Sequence, residues 1–369
     1  MPSKAPKTLL LIDGNSLFHR AYHAIPQLTD RSGEVANAVF GFSNMLIKAI
    51  GEIRPVYIAC AFDTAAPTFR HIEFEKYKAQ RVTPPPDLYP QLPKVKKVLD
   101  AFGIRYFEKE GYEADDVLAT LASRALRQKP KAEGKKQKGN ALNVQHSAFS
   151  IVILSGDRDV LQLVDGNIKV QAPGWNINET SLYGAKEVKE KYGITPVQMV
   201  DYKSLMGDAS DNIGGIAGIG PKTASNLLIR YGTLENLFKH INDIEGSIRR
   251  KLEVGKDDAL AAKKLVELDR DVDLPPASPA KRGEFTINDL RFDPDWGQIR
   301  SEYEKLGFKS IVAKLPGANK EESEVTKEPT AKGPLRPLRH VEDEASESHS
   351  NERKEPKVKK KNSNQLELV

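Results

Sequence analysis

Cysteine is nearly absent: Cys60 is the only one in 369 residues. No intrachain disulfide can form, and neither a disulfide-stapled fold nor a thiolate zinc site is available. Long apolar stretches are missing too, the start Met1-Pro2-Ser3-Lys4 included, so neither a membrane-spanning segment nor a secretory leader is expected. Charge of one sign is not in excess either. Lys and Arg number 56 against 51 Asp and Glu, and a net charge of +5 is too small to name a partner. What remains is a cytoplasmic chain whose 39% apolar residues can bury a large core in two lobes. No repeat of solenoid length is present.

From residue 316 onward Lys, Glu, Ser, Pro and Asn dominate, and apolar residues are too sparse to offset the entropy of ordering. Residues 316–369 therefore read as a disordered polar tail. Residues 128–140 (QKPKAEGKKQKGN) read as an exposed basic loop insertion. Before the tail, three apolar runs have the length of strands buried on both faces: TLLLI at 8–12, VYIACAF at 56–62 and IVIL at 151–154. Helical patterns at 35–50 and 114–126 lie between them. This alternation predicts an α/β fold with a largely parallel central sheet flanked by helices. Beyond Thr195 the pattern turns helical, at 196–205 and again at 221–231 after a glycine-rich loop.

Each apolar run ends in aspartate: Asp13, Asp63, and Asp157 with Asp159. In an open parallel sheet the carboxyl ends of the strands form the ligand crevice, so these acids should converge. Glu113, Asp115 and Asp116 open a further helix, and Asp208 and Asp211 follow with a three-residue spacing. Converging carboxylates repel one another unless protons or cations intervene. All-oxygen donors favour Mg²⁺ or Mn²⁺ over zinc, and two such ions about 4 Å apart would clamp a phosphodiester. Acids at helix caps and in solvated loops are the plainer alternative for any one of these residues.

The segment FRHIEFEKYKAQR at 69–81 is predicted helical, with Arg70, Phe74, Tyr77, Lys78 and Arg81 on one basic, aromatic face suited to a strand end. An amphipathic helix that buries those aromatics is the alternative. The loop GGIAGIG at 214–220 runs into Pro221-Lys222-Thr223. Its glycines allow close backbone approach, and the following helix start attracts phosphate, which together suggest a helix-hairpin-helix gripping DNA backbone without reading bases. His19 and His23 follow the first strand but are expected to be structural, Cys60 an inert buried thiol, and Trp175 and Trp296 carry no identifiable chemistry.

Taken together, LLLIDGNSLFHRAYHA, CAFDTAAPTFRH, EKYKAQR, GYEADDVLAT, LSGDRDVLQLV and MGDASDNIGGIAGIGPKTA resemble the 5′-nuclease or flap endonuclease superfamily, in particular the N-terminal 5′-3′ exonuclease domain of bacterial DNA polymerase I. The resemblance covers roughly residues 8–315. It implies a PIN-like core at 1–192 with a helical arch at about 66–105, then a helical lobe at 193–315 holding a helix-three-turn-helix (H3TH) and the C-terminal helices. It also implies metal binding by Asp13, Asp63, Glu113, Asp115, Asp116, Asp157, Asp159, Asp208 and Asp211. Lys78 and Arg81 take a catalytic role, and Arg20, Tyr22, Arg70, Tyr77, Gly215, Gly218, Gly220, Lys222 and Thr223 contact DNA. Two Mg²⁺ or Mn²⁺ ions serve as cofactors, with K⁺ at the hairpin. The family commonly has proline where Gly214 stands.

The expected activity is structure-dependent 5′-3′ exonuclease and flap endonuclease cleavage of DNA flaps, RNA primers and 5′ ends in replication and repair, by a stand-alone nuclease. A PIN-type ribonuclease would not require the downstream hairpin, and a non-catalytic DNA-binding protein would be expected to lack some of the acids. Residues 365–369, Gln365-Leu366-Glu367-Leu368-Val369, resemble a QLxLF-type sliding-clamp peptide with Val369 in the usual Phe position. They would tether the enzyme to a partner at its substrate.

Overall fold

The apolar runs become the centre of a sheet because both of their faces are covered. Strands β1 (Lys7–Asp13), β2 (Tyr57–Phe62), β3 (Arg105–Glu108), β4 (Phe149–Leu154), β5 (Ile168–Pro173) and β6 (Thr180–Tyr183) lie in the order β3-β2-β1-β4-β5-β6. All neighbouring pairs are parallel except β5 and β6. Side chains alternate across a strand, so Leu9 and Leu11 enter one core while Leu10 and Ile12 enter the other. Cys60 is fully buried between β2 and its covering helices, and burial pushes its thiol pKa well up, as an inert thiol requires. The computed structural model describes residues 7–127, 149–174, 179–275 and 286–317, all within one unit, Met1–Ser323. The basic insertion at 128–140, Trp175 and the tail from 318 onward lie outside the described residues.

Helices α1 (Gly14–Ala24), α2 (Asn37–Ile53) and α4 (Leu92–Ala101) cover one face of the sheet, and α5 (Ala114–Arg127) covers the other. Between α2 and α4 the expected helix over 69–81 is only α3 (Phe69–Glu73). Phe74 is extended, and Lys78 adopts a left-handed backbone at φ +55°. The single helical face proposed for Arg70, Tyr77, Lys78 and Arg81 is therefore not formed. Its aromatic and first arginine turn inward: Tyr77 is 3% and Arg70 1% exposed. The physical reason is satisfied bonding, since both side chains find acids below the segment that a straight helix would carry past them. Of the segment expected as an arch at about 66–105, α4 packs into the core through Val95, Val98 and Leu99.

After β6 come α6 (Ala185–Tyr192), α7 (Met199–Met206), α8 (Pro221–Tyr231), α9 (Leu234–Lys239), α10 (Gly246–Val254) and α11 (Lys256–Val266). Their apolar residues Leu205, Leu228 and Leu252, with Ile216 of the loop between α7 and α8, continue the core that α5 shares with the sheet. Helices α12 (Trp296–Leu306) and α13 (Lys309–Val312), expected with this lobe, instead return to the opposite face. Ile299, Tyr303 and Ile311 supply the apolar stripe that seats them there, and the Trp296 ring stands edge-on to Phe102 at 6.1 Å. No helix among the described residues is long and apolar enough to cross a membrane.

Candidate active site

Strand order reverses at β1, which has β2 on one side and β4 on the other. That reversal opens a crevice at the carboxyl ends of the strands, and Asp13 stands in it. Asp13 caps α1 by accepting from Ser16 N at 2.9 Å, and it accepts from Ser155 Oγ at 2.6 Å across the β1–β4 gap. Burial raises its pKa to about 7, against the lowering effect of those two bonds, and the charges of Asp63 and Asp157 raise it further. Ser155 also accepts from Asp157 N at 2.9 Å, so one buried hydroxyl ties the two acids together.

Asp63 accepts from Asn15 Nδ2 at 2.6 Å and from Ala114 N at 2.7 Å, which fixes the start of α5 beside the end of β2. The surrounding protein raises its pKa, as does Glu113, although the residue keeps an open path to solvent. Asp115 is raised strongly, first by its enclosure and then by Asp116 and Glu113. Asp157 is raised by enclosure too, with Asp211 and Asp208 adding to it while Lys203 and Lys78 oppose. Carboxylates crowded by protein yet reached by water are what a charged cleft produces.

Two lysines stand among the acids. Lys203 on α7 donates to Asp159 and, at 2.6 Å, to Asp208. Burial disfavours the Asp208 carboxylate, but Lys203 and the Ser210 bonds outweigh it and hold its pKa low. Lys78 Nζ lies 2.6 Å from Glu113 and 3.7 Å from Asp211. Burial works against its ammonium, and those two acids override it to raise its pKa. Arg81 Nη2 reaches Asp211 at 2.8 Å, and Tyr77 Oη donates to Glu113 at 2.8 Å and to Asp211 at 3.1 Å. No group of three or more His, Cys, Asp or Glu side chains among the described residues is drawn tightly enough to hold a metal ion. The donors nevertheless fit a hard divalent cation: all are carboxylate oxygens, and Asp13, Asp63, Asp115 and Asp157 hold their protons more firmly than free carboxyls do.

Asp116 departs from the metal set expected of it. It has no exposure and is locked in a two-point ion pair with Arg70, at 2.6 and 2.8 Å, which removes Arg70 from any surface at which DNA could touch it. Tyr77, expected on DNA, is likewise inside. Arg20 donates to the Gly174 carbonyl and Tyr22 to Asp87 at 2.6 Å, so both are tied within the protein beside the crevice. His19 bonds Tyr89 Oη at 3.2 Å and His23 stands edge-on to Tyr22.

The glycine loop closes on α7. Ile216 N donates to Leu205 O at 2.8 Å, and a Cβ on Gly215 would fall 2.1 Å from Gly207 N, so only glycine fits. Gly218 (φ +78°) and Gly220 are exposed, Lys222 is exposed and Thr223 half-buried, at the start of α8 where Pro221 takes the first helical position. A Cβ added at Gly214 would meet nothing within 4 Å. The residues missed in the sequence are Ser155, Asn15 and Lys203. A signal existed for Lys203 alone, a charged residue inside the short apolar helix MVDYKSLM.

The family described as 5′-3′ exonuclease, N-terminal resolvase-like domain, matches residues 8–193, and that described as 5′-3′ exonuclease, C-terminal SAM fold, matches residues 194–285. DNA polymerase I of Bacillus caldotenax is 38% identical over 318 residues, covering 86% of this chain and 33% of the relative. Thermostable DNA polymerase I of Thermus thermophilus is 37% identical, with 85% and 34% covered. The chain thus spans about a third of the length of the curated relatives it matches. Among solved structures, the T5 5′-exonuclease with bound zinc superposes with a TM-score of 0.53 at 20% identity, over 71% of this chain and 90% of that one. The catalytic core of Rad2 in complex with a DNA substrate gives 0.50 at 17% identity, over 84% and 92%. These two show a shared fold.

Proposed function

The chain belongs to the 5′-3′ exonuclease family, and from that premise we propose that it hydrolyses DNA phosphodiesters as a structure-dependent 5′-3′ exonuclease and 5′-flap endonuclease, acting on flaps, RNA primers and 5′ ends in replication and repair. The observation that carries this reading is the convergence of acids from four strand ends and helix starts on one crevice, with Lys78 and Arg81 on its rim. Asp13, Asp63, Glu113, Asp115 and Asp157 would hold one divalent ion, and Asp159, Asp208 and Asp211 a second. Mg²⁺ and Mn²⁺ suit these hard oxygen donors. Bound there, the ions supply charge for activating water and for stabilising the leaving oxygen. Lys78 and Arg81, cationic at the same edge, would bind the oxygens of the reacting phosphodiester, and Ser155 and Asn15 hold Asp13 and Asp63 in place. The hairpin, with Gly218, Gly220 and Lys222 exposed and Gly215 and Thr223 half-buried, would grip the duplex backbone, with K⁺ bound at it. We place the catalytic core at 1–192, with α12 and α13 packed back on it, the duplex-gripping lobe in the chain from 193 through α11, and the work of the enzyme in the cytoplasm. The proposed clamp-docking residues 365–369 lie outside the described residues.

The test is cleavage of a 5′-labelled flap duplex, with product lengths read in Mg²⁺, in Mn²⁺ and in chelator. Short 5′ products in either metal and none in chelator are expected. A purified, folded chain that binds the flap but leaves it intact in both metals would overturn the reading.

A further inference from the structure

The proposed chemistry leaves without a task the most buried ion pair among the described residues. Arg70 is among the largest side chains excluded from solvent among the described residues, and all three of its guanidinium nitrogens are engaged. Nη1 and Nη2 grip Asp116 at 2.6 and 2.8 Å, and Nη1 also reaches Glu113 Oε2 at 3.4 Å. Nε donates to Leu265 O at 2.7 Å and Nη2 to Glu267 O at 3.1 Å. Those carbonyls close the C-terminal end of α11, where a helix leaves acceptors unpaired and its dipole favours a cation. Asp116 in turn accepts from Glu113 N at 3.2 Å and from Asp269 N at 2.8 Å. The pair therefore sits beneath Glu113 and Asp115 and registers the end of α11 against them. Gln162 repeats the arrangement beneath Asp159: it donates to Val266 O at 3.0 Å and accepts from Leu268 N at 3.0 Å.

We propose that Arg70 and Asp116 are positioning residues: neither touches DNA or metal, and together they set Glu113 and Asp115 for cation binding. This rests on the metal-dependent reading of the crevice. Outer partners that orient metal-binding carboxylates typically change affinity or activity 10- to 100-fold when altered. Arg70→Lys keeps the charge but loses the planar fork.

Mn²⁺ binding to the DNA-free full chain, followed by electron paramagnetic resonance and calorimetry, should weaken about tenfold in both Arg70→Lys and Asp116→Asn, at the scale of such outer-shell effects. Turnover should fall with it, while KM for the flap and DNA affinity in chelator stay at wild-type values. Wild-type Mn²⁺ binding in either folded variant overturns the proposal. So does loss of Mn²⁺ binding in Asp116→Asn alone, which would make Asp116 a direct ligand. If Arg70→Lys does not fold, the double variant Arg70→Gln with Asp116→Asn carries the same readout, and wild-type binding there is equally fatal. A wild-type chain that binds no Mn²⁺ refutes the nuclease reading instead.

Discussion

Asp13→Asn should make the metal-free protein more stable at alkaline pH and inactive at every pH. Burial places the Asp13 carboxyl at about 7, from an ordinary 3.8. At about 1.4 kcal/mol per unit, the folded state prefers the neutral acid by about 4 kcal/mol. Below the ordinary pKa both folded and unfolded chains are protonated, and stability is whole. As pH rises, the unfolded chain ionises first while the folded carboxyl keeps its proton, and the loss is complete once pH passes the folded value. An amide does not titrate and escapes this loss. It does strain one hydrogen bond, because Ser155 Oγ now donates to Asp13 and would have to accept from an Asn Nδ2 instead, at a cost of about 1 kcal/mol.

The net expectation at pH 8 is a gain of about 3 kcal/mol, and at pH 5, where the wild type has lost about 1.7 kcal/mol, a gain of less than about 1 kcal/mol. Urea unfolding in chelator at both pH values, followed by circular dichroism, measures it. A variant destabilised at pH 8, or shifted equally at both, would show that Asp13 is not the strained acid at the β1–β4 gap. Activity should vanish in both conditions, which separates what the acid does for catalysis from what it costs the fold.

Lys78→Ala should reduce turnover about 100-fold with little change in duplex affinity, since its ammonium lies among the acids rather than on the outer surface; single-turnover cleavage and filter binding separate the two, and an equal fall in both would reduce it to a general phosphate contact. Gly218→Val forces a β-branched residue into φ +78° and puts a Cβ 2.7 Å from Lys251 Nζ, so duplex affinity by fluorescence anisotropy should drop about tenfold for every sequence alike, as a strain of about 1–2 kcal/mol implies. An unaltered dissociation constant at fixed salt would remove the hairpin from the interface. Deleting residues 365–369 should abolish retention on an immobilised sliding clamp and leave clamp-free flap cleavage untouched, and equal retention of both chains refutes docking.

The sheet was legible wherever burial was two-sided. LLLI, YIACAF and IVIL are continuous apolar runs because both faces of β1, β2 and β4 are covered, and their trailing aspartates followed from the strand ends. Strand β3 was not legible, since of RYFE only Phe107 is buried at this edge position, and β6 is almost wholly exposed. The segment after α3 misled for a different reason. Its basic and aromatic residues do recur at helical spacing, but Tyr77, Lys78 and Arg70 each have an acid partner contributed from more than thirty residues away. Tertiary bonding of that strength overrides a weak local preference, and Lys78 accepts a left-handed backbone to make it.

The same long-range bonds explain why the site could be read as a set of acids but not as a set of pairs. Repulsion among converging carboxylates demands cations, and sequence reasoning supplied them only as metal. The fold supplies some itself: Arg70 for Asp116, Lys203 for Asp159 and Asp208, Lys78 and Arg81 for Asp211. Asp13, Asp63, Asp115 and Asp157 have no salt-bridge partner in this set, and it is their pKa values that rise. The division is therefore chemical rather than positional. Acids that already own a cation sit beneath or beside the crevice, and the four whose pKa values are raised line the gap between β1, β2, β4 and the start of α5, where an incoming divalent ion has the most repulsion to relieve.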